Sequence, residues 1–581
     1  MLRTLVRTGR GGIAVALTAM LAPCWVMLLG QTLHLLTEFP AWVYVTAIAG
    51  VSVVVMLLTW GLFTTRRSAW LVAGLAAAAY FGGVVAVLHF YAGPGMPFWQ
   101  LAAVLGCASA WVYWCSWGVV LAQRWSVRAG GLAILAGLGF FLPSLLALEG
   151  LTGAAKVRFV WAGAGGRQLA ATDAPQQPAG DWLTEPLTID ASDWPEFLGN
   201  RQANHPDRLI RTAWDQQPPE EVWRREVGLG WGSFAVVGPV AITQEQRGDD
   251  ECVVCYDVAT GEPRWVHRSP ERFASVLGGD GPRATPTIHD QSVYAISGSG
   301  RLACIDVASG EPRWQVDTLA DNGGSIAHHG VCGSPLVVDD LVIVMPTGRA
   351  EASLVAYDRV SGERRWQAGR WKASYSSPML ADIRGQRQIL AFTSEGLEAH
   401  AVEDGALLWS HPFTNDQSTV CAQPVLVPDT DRQIVLGLGY GRGSTLIEVS
   451  QTDDGTWQTR EIWTSRDMKT KFTTAVIRDG YAYGLDDGIL ACIDLATGQR
   501  QWKKGRYQHG QVLLVGGWLL IQAETGDLVL VNPSPEGLQE VGRIEALDEK
   551  TWNNPALTAD FLLVRNSSEA VCYRIAEERG L

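Results

Sequence analysis

The residues of this sequence best suited to hold a ligand stand beside a recurring small polar step, most often Ser or Thr before Pro. They are Trp231 (in GWGSF), Arg283 (PRATP), His328 and His329 (AHHGVCGSP), Tyr375 (SYSSP), Gln423 (CAQP), Lys469 and Lys471 (MKTKFTT), His509 (QHGQ) and Trp552 (TWNNP). The flanking pattern repeats while these positions are large, polar or aromatic. Trp231, Arg283, His329, Tyr375, Lys471, His509 and Trp552 are therefore the candidate binding set. Cations and flat rings gathered at one mouth suit an anionic or planar ligand. In the blander alternative the same residues cap strand ends and bond water, as single polar loop residues usually do. Patterns for chemistry are missing: there is no GxSxG elbow, Walker loop, HExxH or dinucleotide fingerprint. Asp and Glu are abundant but fall in turns, so no catalytic carboxylate pair and no metal-ligand set stands out.

The elements that must position these residues are repeated hairpins. Residues 304–314 read CIDVASGEPRW; residues 255–265 (CYDVATGEPRW), 356–366 (AYDRVSGERRW) and 492–502 (CIDLATGQRQW) are copies, and 399–409 (AHAVEDGALLW) is a weaker one. In each, a short apolar strand ends at an Asp whose carboxylate accepts turn N–H groups. Thr or Ser adds a second acceptor, Gly supplies positive φ, and Trp lies on the return strand, where its ring packs on a neighbouring copy. A hairpin this small cannot bury its own apolar face, so copies must pack together.

The repeat tryptophans Trp265, Trp314, Trp366, Trp409, Trp463 and Trp502 are 49, 52, 43, 54 and 39 residues apart. That period suits four short strands per repeat, a propeller blade. Two further units lack the Trp, one ending near 537–541 and one containing 570–575. The last has three candidate strands, and segment 221–227 supplies the fourth, closing the ring and leaving no long free edge. The expected fold is an all-β, eight-bladed propeller of four-stranded antiparallel blades. Its strands that line the channel are the ones the candidate residues lead into.

Ahead of it lies a different kind of chain. Residues 1–150 hold seven Arg, no Lys and two acids, Glu38 and Glu149. Five apolar stretches, 12–36, 41–63, 69–92, 99–122 and 129–148, read as spanning helices. A signal peptide alone is excluded by the four stretches that follow the first. Arg3, Arg7 and Arg10 precede the first span, Arg66 and Arg67 follow the second, and Arg124 and Arg128 follow the fourth, all on one side, while the loops after the first and third spans hold no Lys or Arg. The positive-inside rule then puts the N-terminus in the cytoplasm and everything after the fifth span outside it. The expectation is a multi-pass domain of the inner membrane (1–150), a linker (151–192) and an extracytoplasmic, periplasmic propeller (193–581). The segment Asp193–Asn200 (DWPEFLGN) is expected to pack on the outside of the ring. His34 and His89 share a depth on two spans, a placement open to haem or quinone ligation but also to the wet interface. The chain beyond residue 150 holds 39 Lys plus Arg against 57 Asp plus Glu. That acidity argues against nucleic acid as a partner.

The AxDxxTGxxxW-type copies, the DWPxF segment and the blade count resemble the PQQ-like, or quinoprotein-type, β-propeller repeat family. The resemblance covers about 193–575. It implies two kinds of relative: pyrroloquinoline-quinone dehydrogenases, some with five spanning helices before a periplasmic propeller, and non-enzymatic BamB-like propellers that act as binding scaffolds. A dehydrogenase of that group implies the quinone held with Ca²⁺ over the channel, a catalytic Asp and donors to the quinone oxygens. Here there is no Cys-Cys pair, which many members but not the membrane glucose dehydrogenases have; long inter-blade insertions are lacking, and the sequence does not mark a Glu/Asn/Asp calcium set. The resemblance carries over the fold and leaves catalytic residues unassigned.

Of ten cysteines, Cys24, Cys107 and Cys115 are in the apolar stretches. Cys255, Cys304, Cys492 and Cys572 share one repeat position and read as buried core. Cys252 and Cys255 form a CxxC with no His after it and fall on opposite strand faces. Cys332 and Cys421 have no such account. The sequence thus favours a membrane-anchored propeller that binds a protein or ligand, with no cofactor expected. The alternative is a PQQ- and calcium-dependent membrane dehydrogenase oxidising a sugar or alcohol and passing electrons to membrane quinone.

Overall fold

A computed structural model describes residues 146–151, 157–161, 182–183, 185–275 and 278–575. The chain divides into two compact units, Met1–Gly165 and Gly166–Leu581. Most of the five apolar stretches, with His34 and His89, lies outside the described residues. Among the described residues no helix is long and apolar enough to cross a membrane. In the first unit, strands Leu146–Leu151 and Val157–Trp161 form an antiparallel hairpin. A helix was expected up to residue 148 and a structureless tether after it. Sequence period had no purchase on strands of five or six residues.

The second unit is a ring of eight sheets. Blade 1 runs from Ala235–Val237 to Pro263–Ser269, blade 2 from Thr287–His289 to Pro312–Asp317, and blade 3 from Leu336–Val338 to Arg364–Ala368. Blade 4 runs from Met379–Ile383 to Leu407–Pro412, blade 5 from Val425–Leu426 to Trp457–Ser465, blade 6 from Val476–Arg478 to Arg500–Arg506, and blade 7 from Gln511–Val515 to Gln539–Glu545. Blade 8 takes three strands, Ala556–Leu557, Phe561–Arg565 and Glu569–Arg574, from the end of the chain. Its outer strand is Glu220–Glu226, antiparallel to Glu569–Arg574 with Trp223 opposite Cys572. The ring is fastened by a strand borrowed from its beginning, as the sequence indicates.

The repeated hairpin behaves as its residue types dictate. Asp306 Oδ1 accepts the N–H groups of Ala308 and Ser309 at 3.1 and 2.9 Å, and Asp494 does the same for Ala496 and Thr497. Gly310 has φ +75°. That glycine has a second reason to lack a side chain: a Cβ there would lie 2.7 Å from the Trp265 ring of the preceding blade. Trp223, Trp314, Trp366 and Trp463 press on Gly261, Gly362, Gly405 and Gly498 in the same way. Each indole also donates to a carbonyl of the next blade, as Trp223 Nε1 does to Val258 O (2.8 Å) and Trp265 Nε1 to Val307 O (2.9 Å). Every ring therefore clips one blade to its successor, and Trp223 clips blade 8 to blade 1.

Two blades depart from this pattern. Blade 5 has outer strands of nine residues, so its turn at Gly455 lies beyond Trp409, which bonds Gln388 of its own blade instead. Blade 7 carries Gly542 opposite Leu530, where the other blades carry Trp, and Trp214 covers that glycine from outside the repeat. Blade 8 has no third-to-fourth hairpin, because its two outer strands come from opposite ends of the chain. A Trp on blade 7 would have no turn to rest on.

The segment after residue 190 does not pack on the outside of the ring. Trp194 exchanges backbone hydrogen bonds with Val236 at 2.7 Å, and Pro195 O accepts from Ile288 N. Arg201, 1 % exposed, bonds Glu196 (2.5 Å), the carbonyls of Ser334 (3.1 Å), Pro335 and Pro378 (2.9 Å), and Thr287 Oγ1. Asn204 reaches Ile477, Ala203 O accepts from Leu514 N, and Arg208 bonds Leu557 O. These contacts involve the innermost strands, or the residues leading into them, of every blade except blade 5. A segment that touches opposite sides of a ring must cross its axis, so this one floors the channel. Ahead of it, Trp182 donates to Ala308 O, and Leu187 and Gln291 exchange two hydrogen bonds, so the end of the expected linker is built into blades 1 and 2.

Candidate functional site

A hoop of hydrogen bonds encircles the channel where the chain enters the innermost strands. Ser233 N donates to Thr285 Oγ1 (3.0 Å), Thr285 N to Ser334 Oγ (2.9 Å) and Ser334 N to Ser377 Oγ (2.9 Å). Ser377 N donates to Gln423 Oε1 (3.0 Å) and Gln423 N to Thr474 Oγ1 (3.1 Å). Gln511 Nε2 ties Phe472 O to Trp552 O, and Ser233 Oγ closes onto Asn554 O. This is the physical meaning of the recurring Ser/Thr step: a short acceptor side chain satisfies a backbone N–H of the preceding blade. Two residues earlier on each chain, on the same side of extended backbone, stand Trp231, Arg283, Cys332, Tyr375, Cys421, Phe472, His509 and Trp552.

The contacts show where this layer converges. Trp231 and Trp552 have ring centroids 5.0 Å apart, Phe472 is 5.1 Å from Trp552 and His509 is 5.7 Å from Phe472. Glu524 accepts Trp552 Nε1 at 3.1 Å and His509 N at 3.0 Å, fixing both. On the other side His329 lies 5.3 Å from Tyr375 and meets Ser275 Oγ through Nδ1 at 3.4 Å. Arg283 donates to the carbonyls of Gly281 and Gly279 and stacks over Phe273 at 4.9 Å.

Lysines sit on the rings. Lys550 Nζ is 4.3 Å from the Trp552 centroid and 4.7 Å from that of Trp231. Lys471 Nζ is 4.7 Å from Tyr440 and 5.1 Å from Phe472. The aromatic faces thus seat ammonium groups, and the mouth presents N–H donors more than bare ring surface. The Tyr440–Gly441 turn, with Tyr440 at φ +54°, is both a tight turn and part of this rim.

Burial sets the titration of the layer. It holds the His329 imidazole down to about 3, helped by His328 and Arg283, so that ring is neutral at physiological pH. Burial also lowers Lys471, against the pull of Cys421, Asp487 and Glu524, and lowers His509. It pushes the Cys332 thiol up to about 11, Cys421 to about 12 and the Tyr375 phenol to about 12. Neither thiol is a ready nucleophile. All seven described cysteines are free, and Cys255, Cys304, Cys492 and Cys572 are buried core as their shared position implies.

Of the seven candidate residues, Trp231, Arg283, Tyr375, His509 and Trp552 occupy the layer itself. His329 lies three residues before Cys332, and Lys471 immediately before Phe472. Lys469 is held apart, ion-paired to Asp486 and Asp487. Cys332, Cys421 and Phe472 belong to the layer and were not singled out. The signal was their constant distance from the Ser, Gln or Thr of the hoop, which a search by size and polarity passes over.

The donor set does not suit a calcium-held quinone. Among the described residues no three His, Cys, Asp or Glu side chains converge on one point. The carboxylates nearest the mouth are engaged: Glu524 by Trp552 and His509, Asp486 by Lys469 and by Lys503 at 2.7 Å. No catalytic step through that cofactor follows from these residues.

A family profile described as outer membrane protein assembly factor BamB matches residues 207–318 and 278–504. No curated protein matches the chain. Among solved structures, BamB from Moraxella catarrhalis is similar at 14 % identity over 61 % of this chain and 100 % of that one, with a TM-score of 0.45. The quinohemoprotein alcohol dehydrogenase from Comamonas testosteroni is similar at 12 % identity over 71 % and 84 %, with a TM-score of 0.46. A europium-containing methanol dehydrogenase is similar at 11 % identity over 66 % and 98 %, with a TM-score of 0.43. Since the two profile matches together span just over half of the sequence, the chain belongs to the PQQ-like β-propeller family described by that assembly factor.

Proposed function

We propose that this protein is a membrane-anchored binding propeller, a rigid platform whose channel mouth engages a ligand or partner and which carries no chemistry of its own. One observation supports this most directly. Eight segments entering the innermost strands bring Trp231, Trp552, Phe472 and His509 into one cluster and Arg283, His329 and Tyr375 into another, above a channel floored by Asp193–Arg208. Donors dominate that surface, so the group it accepts is rich in acceptor oxygens. Carboxylates near it are spent on holding rings and lysines, which favours capture over proton transfer. The described residues ahead of the ring, Trp182, Leu187 and Trp194, meet it on the floor side.

Titrating the intrinsic fluorescence of Trp231 and Trp552 with a planar aromatic dicarboxylate, pyridine-2,6-dicarboxylate, tests the site. Quenching is expected in the parent protein and should vanish in the double variant Arg283→Ala, Lys471→Ala. Unchanged quenching removes the mouth as the binding surface. Anchorage in the inner membrane, with the propeller outside the cytoplasm, is part of the proposal and rests on the apolar stretches and their arginines. Protease added to the extracytoplasmic side should cut the propeller, and cleavage only from the cytoplasmic side reverses the orientation.

The Trp231–Trp552 pair, two indoles tilted by 41°, is the single feature that favours the dehydrogenase alternative, since either ring could take one face of a planar cofactor. Pyrroloquinoline quinone and Ca²⁺ added to purified protein, with a bound chromophore and dye reduction by sugars or alcohols as readout, decide it.

A further inference from the structure

The mouth is electrically lopsided. Around blades 4–6, Arg370, Lys372, Arg442 and Arg466 form no ion pair with a described residue. Arg370, Lys372 and Arg466 are exposed and Arg442 is half-buried. Of the carboxylates on the same loops, Asp467 is neutralised by Arg500 at 3.0 Å and Asp487 by Lys469 at 3.2 Å, which leaves Glu395 and Asp416. On the opposite side, around blades 1 and 8, the exposed charges of the mouth loops include Asp249 and Asp548. A run of uncompensated cations stands out on a chain with an excess of 13 negative charges.

These cations are also held in place. The Arg370 guanidinium lies 5.3 Å from the Trp371 centroid, and that of Arg442 lies 4.3 Å from Phe413, a ring on the connection from the preceding blade. Lys471 continues the row over Tyr440 and Phe472. A cation laid on a ring gives up less side-chain freedom when it binds, so the rim is preorganised for anions.

We propose that the rim over blades 4–6 is a docking surface for an acidic segment of a partner polypeptide. The proposal rests on the mouth being the working face and names the partner class. Glu395 and Asp416 interrupt the cationic row. A nucleic-acid backbone, with a phosphate at every step, would be forced against them. An extended peptide places alternate side chains about 7 Å apart and can set acids beside the cations while leaving neutral residues opposite Glu395 and Asp416.

The test uses the full-length protein and two fluorescein-labelled peptides of about twelve residues, one with Glu at alternate positions and one with Gln there. Fluorescence anisotropy should show binding of the acidic peptide only, weakening steeply between about 50 and about 300 mM salt. The variant Arg370→Gln, Lys372→Gln, Arg442→Gln should bind it at least about tenfold more weakly. A second variant, Lys372→Glu with Arg466→Glu, changes only exposed residues, leaves every stacked ring in place, and should lose binding equally. Equal affinity in either variant overturns the inference, as does tighter binding of single-stranded DNA or of anionic vesicles than of the acidic peptide. Dicarboxylate quenching at Trp231 and Trp552 should survive in both variants. Its presence with peptide binding absent from the parent protein sinks this inference alone, whereas its absence from the parent sinks the function proposed for the mouth.

Discussion

Glu251, near the start of the third strand of blade 1, accepts the Gly298 N–H through Oε2 at 3.0 Å, while its buried Oε1 has no hydrogen-bond partner. Burial pushes this carboxyl up to about 7; Glu271 adds to the rise, and the Gly298 N–H and Arg283 oppose it. An acid whose pKa is raised on folding is tolerated when protonated and costs stability once it ionises. The contribution is whole below the unfolded value near 4.5 and is lost as pH climbs through about 7, a loss on the order of 3 kcal/mol. Glu251→Gln keeps the acceptor and removes the ionisation. Thermal melts across pH should therefore show the variant gaining on the parent protein from pH 5 to pH 8, and a constant difference would contradict this. Nothing in the local sequence DDECVVC marks this Glu, because its neighbours arrive from elsewhere: Glu271 and Arg283 from the connection between blades 1 and 2, and Gly298 from a turn of blade 2. Trp231, Arg283, Tyr375, His509 and Trp552 were legible at the mouth because size and polarity set them apart from the Ser, Thr and Pro beside them. Cys332 and Cys421 have no such contrast.

The hairpin is the element on which the ring is built, and its glycine serves two purposes that substitutions can separate. Gly310→Ala places a methyl group 2.7 Å from Trp265 at φ +75°, so it meets both backbone strain and a displaced ring; about 2–4 kcal/mol of destabilisation is expected in urea unfolding. Gly455→Ala, at φ +84° with only Gln451 at 3.9 Å, keeps the backbone term alone, about 1 kcal/mol. Equal costs would mean that the Trp–Gly contact between blades contributes nothing. The turn itself was plain in the sequence, since Asp, Thr or Ser, and Gly at fixed offsets can do little else. That each glycine receives the indole of the preceding blade was not, because spacing along a chain does not report which copies touch. The same blindness covers Trp214, which serves blade 7 from outside the repeat.

At the scale of the whole molecule, the ring depends on Glu220–Glu226 completing a sheet whose other strands end at Arg574. The double variant Trp223→Pro, Arg225→Pro, which cannot pair with Glu569–Arg574, should lose cooperative unfolding while the floor segment is kept; cooperative unfolding of that variant would show that closure is dispensable. This fastening was readable because a three-stranded last repeat needs a fourth strand from somewhere. The course of Asp193–Arg208 was not, since it has no period and its partners are scattered over seven blades. That course has a consequence for traffic. With Arg201 wedged against Ser334, Pro335 and Pro378, the hub is a cup and not a pipe. Under the binding function proposed above, a guest seated on that floor would leave on the side it entered, so its departure would pace the arrival of the next.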